Sequence, residues 1–156
     1  MTAVDIPRAI LRNEEDIPFV PLDDGTDLQL LQVDVEQGLW VVRTRWQPGV
    51  TIQTHKHTGA VFAFTLAGSW RYLEYPDDVN VAGSYLFEPA GSIHTLHVPE
   101  SNTETTDAVF VIYGANLNLD PDGNVELVID AGGIRDFYFA MCEGSGLGRP
   151  PVVGTT

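Results

Sequence analysis

Cysteine is nearly missing from this sequence. Cys142 stands alone in 156 residues, so no disulfide can form within the chain and stability has to come from a packed core. Basic residues are scarce as well: 8 Lys and Arg face 22 Asp and Glu, a formal net charge of −14. A chain this negative is repelled by phosphate backbones and anionic lipid surfaces, which excludes nucleic acid and membrane as expected partners. No apolar stretch nears the roughly 18 residues that span a bilayer. The first twenty residues lack a basic start followed by an apolar block, so the expected location is cytoplasmic. Charged residues are only 19% of the chain, below the roughly 25% of an average domain, while apolar residues reach 44%. That balance excludes a disordered acidic tail and predicts a single domain with a real core.

What is abundant is punctuation, with 15 Gly and 10 Pro set between short runs rich in Val, Ile, Thr and aromatics. Residues 28–35, 39–46, 51–57, 61–66, 69–75, 84–88, 93–98, 108–113 and 125–130 read as strands, enough for a barrel or sandwich, so the fold class is all-β. In 39–46 the two-residue period puts Trp40, Val42, Thr44 and Trp46 on one face and Val41, Arg43 and Arg45 on the other. The run 61–66 is apolar on both faces, which predicts core on one side and another sheet or subunit on the other; a homodimer or larger homo-oligomer is expected. Residues 1–25 read as an N-terminal arm, 26–143 as the barrel with one short helix at 133–142, and 144–156 as a flexible tail.

Three of the four histidines make chemical sense together. His55 and His57 are two apart, so on a strand both imidazoles leave the same face and can reach one ion. His94 follows 37 residues after His57, behind Pro89 and Gly91. Neutral imidazole is the commonest protein ligand for iron, zinc, copper and nickel, which makes these three the candidate metal ligands.

With their surroundings, these histidines resemble the two motifs of the cupin superfamily, Gly-x5-His-x-His-x3-4-Glu-x6-Gly and Gly-x5-Pro-x-Gly-x2-His-x3-Asn. Gly49, His55, His57 and Gly68 match the first, and Gly83, Pro89, Gly91 and His94 match the second. Val61 occupies the glutamate position and Val98 the final asparagine position. The resemblance implies a jelly-roll barrel of the RmlC-like kind and a metal held by three histidines without the motif carboxylate. Beyond the motifs, the stretches 70–75, 82–97, 109–125 and 137–139 are similar to the 2,4'-dihydroxyacetophenone dioxygenase family, over residues 30–143. That similarity implies Fe(II), an aryl hydroxymethyl ketone and O2 as partners, and products of an aromatic acid and formate. It also suggests Glu74 as a carboxylate near the iron and a candidate base.

Several readings stay open on the residues alone. If Glu74 points inward, Trp70 and Tyr72 point inward with it and form an aromatic wall for the substrate ring; the opposite parity buries Leu73 and puts Glu74 in water. His97 is an odd step from His94 and faces away from the metal. The acidic turn at Asp120 lacks the closing glutamate of a calcium loop, and no serine sits in a hydrolase elbow. Zinc, nickel or another divalent ion fits three imidazoles as well as iron does. A β-diketone-cleaving enzyme and a non-catalytic metal or ligand sensor are the alternatives. Charge avoids the motifs, where Lys56 is the one charged residue between Gly49 and Gly68 and Glu88 the one between Gly83 and Val98.

Overall fold

The structure, a computed structural model, describes residues 6–155. After a single 3-10 turn at Glu14–Asp16 come β1 (Val20–Pro21), β2 (Thr26–Asp34), β3 (Leu39–Trp46), β4 (His55–His57), β5 (Val61–Ala67), β6 (Ser69–Tyr72) and β7 (Asn80–Val81). They are followed by β8 (Tyr85–Glu88), β9 (Ile93–His94), β10 (Leu96–His97), β11 (Thr106–Tyr113), β12 (Asn116–Leu119), β13 (Val125–Ile129) and α1 (Ala131–Gly144). One six-stranded sheet runs in the order β1-β2-β3-β11-β5-β8, a second in the order β13-β12-β4-β9, and a small third in the order β10-β6-β7. All strand pairs are antiparallel, as hairpin-linked strands of a closed β fold require.

Alternation along β3 is the expected one: Trp40, Val42, Thr44 and Trp46 are buried and their neighbours half-buried. The two indoles keep their N–H groups satisfied, Trp40 donating to the Gly114 carbonyl at 2.9 Å and Trp46 to Thr26 Oγ1 at 2.8 Å. Each ring therefore enters the core without orphaning its donor, and its burial is worth about 1.5–3 kcal/mol, as for other large apolar side chains. Inward residues of the large sheet, among them Leu28, Leu30, Val42 and Phe110, join Trp70, Tyr72, Leu96 and Val98 in one core cluster.

The motif glycines bend the chain where side chains would be strained. Gly49, Gly68, Gly83 and Gly91 all have positive φ, between +72° and +90°, a region open to glycine at little cost. At Gly68, between β5 and β6, an added Cβ would also lie 2.4 Å from Thr106 Oγ1.

Five expectations change. The run 51–57 is a strand only at its histidines, with Thr51 bridging to His97; 69–75 stops at Tyr72; and 93–98 divides into two short strands. The helix is longer at both ends, starting at the Asp130 cap, whose carboxylate accepts the Gly133 N–H at 2.7 Å. The segment after it is docked rather than loose: Val152 is fully buried, and Val153 exchanges backbone hydrogen bonds with Leu31 and Val33 of β2. Gly and Pro signal turns, but whether a turn-rich segment finds an open strand edge depends on the sheet around it. Among the described residues no helix is long and apolar enough to cross a membrane.

Candidate metal centre

Cross-strand pairing builds the site. On β4, His55 and His57 share the inner face, and β9 pairs with β4 so that His94 lies opposite His55. All three rings are buried, and one nitrogen from each falls within 4.8 Å of the others. His55 Nδ1 lies 2.9 Å from the Gln53 carbonyl; donating that proton leaves its Nε2 lone pair free.

A fourth group reaches the same point. Glu88, on β8 and nearly fully buried, places Oε2 3.2 Å from His57 Nε2 and 3.4 Å from His94 Nε2. Its other oxygen accepts a short hydrogen bond from the Tyr72 hydroxyl, and the Tyr72 ring stacks on His94 at 3.8 Å between centroids. Glu88 Oε2 and His94 Nε2 have no hydrogen-bond partner although both are buried. Orphaned buried polar atoms are costly, and these converge from different strands onto one spot. Three imidazoles and a carboxylate are the donor set of a first-row divalent cation, so the residues present fit the metal that the motif resemblance implies.

Burial keeps the histidines neutral and ready to bind. It lowers the pKa of His57 to about 3, with His55 adding to the effect, and that of His94 to about 3, with His55 and His57 adding; His55 is lowered for the same reason. Burial raises Glu88 to about 7 against the opposing hydrogen bond from Tyr72, and raises the Tyr72 hydroxyl well above its ordinary value.

The sequence-predicted residues divide. His55, His57, His94 and Tyr72 meet at the site, whereas Trp70 is fully buried core, its N–H donated to Thr65 Oγ1 at 2.9 Å and its ring packed on Phe110. Glu74 is exposed, and its Oε2 accepts the Thr95 N–H at 2.8 Å. Strand alternation cannot carry it inward because β6 has ended two residues earlier. The carboxylate against the histidines is Glu88. Its position explains Val61: the two are directly paired across β5 and β8, so the strand beside the motif supplies the carboxylate that the motif lacks. The one signal in the sequence was that Glu88 is the lone charge in the second motif; its six-residue step to His94 crosses a turn, so strand parity could not place it. His97 faces away from the site, bonded to Thr51 Oγ1 at 2.8 Å.

Beside the histidines lies a cavity of about 150 Å³ walled by apolar side chains that include Trp40, Val42, Phe110 and Ile112. That is the volume of an engineered cavity that takes up benzene, so one six-membered ring fits. Asn116, opposite His57 on β12, contributes a buried Oδ1 that has no donor. Leu22, Ile129 and Ile134 also line a second cavity of about 380 Å³, whose wall includes Asp23 and Asp24.

Residues 7–115 match the model of the ChrR cupin-like domain family. The chain belongs to this family. Among solved structures, this cupin is 32% identical to a cupin-like protein of unknown function from Ralstonia eutropha, with 98% of this chain and 96% of that one covered at a TM-score of 0.89. An acetylacetone dioxygenase from Acinetobacter johnsonii shares the fold at 19% identity, with 90% and 97% covered and a TM-score of 0.74. The anti-sigma factor ChrR of Rhodobacter sphaeroides, in complex with SigE, matches over 65% of this chain and 51% of that one at 19% identity, with a TM-score of 0.53. No curated protein matches the cupin chain.

Proposed function

We propose that this cupin is an Fe(II)-dependent dioxygenase that cleaves an aryl hydroxymethyl ketone, of the 2,4'-dihydroxyacetophenone type, into an aromatic carboxylate and formate. The observation that carries the reading is three neutral, buried histidines meeting Glu88, two of which, His55 and His57, also line an apolar cavity the size of one aromatic ring. The bond broken joins the carbonyl carbon to the hydroxymethyl carbon, and one oxygen atom of O2 ends in each acid. Fe(II) held by His55, His57 and His94 supplies Lewis acidity and electron transfer to O2. Zinc would occupy the same donors without that redox chemistry.

The chain's own groups do the rest. Trp40, Phe110 and Ile112 hold the ring and exclude water. Asn116 Oδ1 accepts a substrate hydroxyl, and Glu88 Oε2 takes the proton that the ketone loses on activation. A carboxyl held near 7 by burial is poised for that transfer at neutral pH, and the Tyr72 hydroxyl fixes its orientation. The likeness to an acetylacetone dioxygenase keeps a β-diketone as the second substrate class. Iron-loaded protein should consume O2 with 2,4'-dihydroxyacetophenone and release formate in equal amount. Uptake with acetylacetone alone would transfer the assignment to diketones, and iron bound without uptake on either would leave the sensor reading.

A further inference from the structure

The second cavity shares three of its lining side chains with the metal cavity: Leu22 from the β1–β2 turn, Ile129 from the end of β13 and Ile134 from the first turn of α1. Cross-strand pairing sets the floor beneath them. Across β13, β12 and β4, Ile129 pairs with Asn116 and Asn116 with His57; one step along, Leu127 pairs with Asn118 and Asn118 with His55. Directly paired residues share a face, so two rows of side chains run from the edge strand β13 to the metal ligands. Leu127 and Asn118 belong to the second cavity, Ile129 to both, and Asn116 and the histidines to the first. Asn116 Nδ2 donates to Asn118 Oδ1 at 3.0 Å, so the polar middle of this floor is continuous from one cavity to the other.

We propose that the second cavity is a binding site on the way in: it takes up a neutral aromatic compound bearing a hydroxyl group and passes it to the metal cavity between Leu22, Ile129 and Ile134. Burial picks the route. Of the side chains that wall the metal cavity, Leu22, Ile52, Asn116 and Ile129 are half-buried and the others buried. Leu22 and Ile129 also line the second cavity and Asn116 is bonded to Asn118 there, whereas Ile52 lines the metal cavity alone. The second cavity is walled by exposed Leu127, Val128 and Phe137, so it meets water, and its volume of about 380 Å³ lies in the range of small-molecule sites. Charge and polarity select the occupant. Asp23 and Asp24 are in the wall, and among the described residues no Lys, Arg or His lines it, so an anion is repelled where an uncharged ring is not. The apolar side chains receive the ring, and the paired asparagines receive its hydroxyl.

This inference rests on the reading that the metal cavity receives an aromatic substrate, and the experiment lets the two fail separately. Trp40 and Trp46 line the metal cavity, so their emission reports a ligand's arrival there. In stopped-flow mixing of the full chain, equilibrated with zinc, phenol should bind and benzoate should associate roughly tenfold more slowly. Asp23→Asn combined with Asp24→Asn should speed benzoate several-fold and leave phenol unchanged. Asp77→Asn combined with Glu143→Gln, which removes the same charge from exposed positions outside both cavities, should change neither. Ile134→Phe should slow phenol several-fold, and Ile52→Phe should not. Benzoate entering the Asp23, Asp24 variant no faster than wild type, or phenol slowed by Ile52→Phe alone, overturns the route. Wild-type emission that ignores phenol overturns the binding site itself. 2,4'-Dihydroxyacetophenone that enters with the phenol pattern supports the route even where iron-loaded protein consumes no O2 with it, and then the dioxygenase reading alone fails.

Discussion

Glu88 lies at the crossing of two demands. As a buried carboxyl without a cation it is held near 7, and as a neighbour of two neutral imidazoles, those of His57 and His94, it faces atoms that cannot donate to it once their lone pairs point at an ion. Replacing it by Gln keeps shape and one acceptor but removes the proton-accepting function. Glu88→Gln should keep much of its iron while O2 consumption drops by about 10²–10⁴, the range lost with a general base. Metal content and uptake measured on one preparation check this. If both fall together, Glu88 is a metal ligand alone. Trp70 teaches the opposite lesson at the same scale: an inward aromatic two residues from Tyr72 faces Thr65 and Phe110 instead of the cavity.

At the level of elements, the site depends on short strands held by turns that only glycine makes easily. β4 carries two of the three histidines in three residues, and its register is fixed by β9 on one side and β12 on the other. The turn at Gly68 joins β5, opposite Glu88, to β6, which carries Tyr72. Gly68→Ala places a Cβ against Thr106 at positive φ, and strain of this kind costs about 1–3 kcal/mol. Urea unfolding should show that loss in the midpoint with little change in slope. An unchanged midpoint would mean that the turn relaxes freely.

For the whole molecule, the buried site makes the stability of the metal-free protein depend on pH. His57 and His94 titrate near 3 when folded and near 6.5 when unfolded, so between those values the unfolded chain binds protons that the folded chain refuses. Stability from this source is complete above 6.5 and is lost as pH falls towards 3. Glu88 works the other way between its unfolded value of 4.5 and about 7, where the folded chain holds the extra proton. Two histidines outweigh one carboxyl, so the urea midpoint of metal-free protein should fall between pH 7 and 5. His57→Gln combined with His94→Gln should flatten or reverse that slope; the wild-type slope persisting in the variant would place its origin elsewhere.

Much of this was readable in advance, and for a physical reason. A two-residue period records which side of a strand meets water, so Trp40, Val42, Thr44 and Trp46 declared the core, and the spacing of His55, His57 and His94 among turn glycines declared a cluster of buried histidines able to hold a metal in a β barrel. Glu88 and Asn116 were hidden because their relation to the histidines is one of cross-strand register, set by which strands lie side by side. The docked end of the chain was hidden likewise, since it needs the free edge of β2. Sequence by itself determined the fold class, the three histidines and the uncharged lining of the motifs, because each is a local pattern. Only the tertiary structure decided which carboxylate joins them, because that choice is made by strands distant along the chain and adjacent in space.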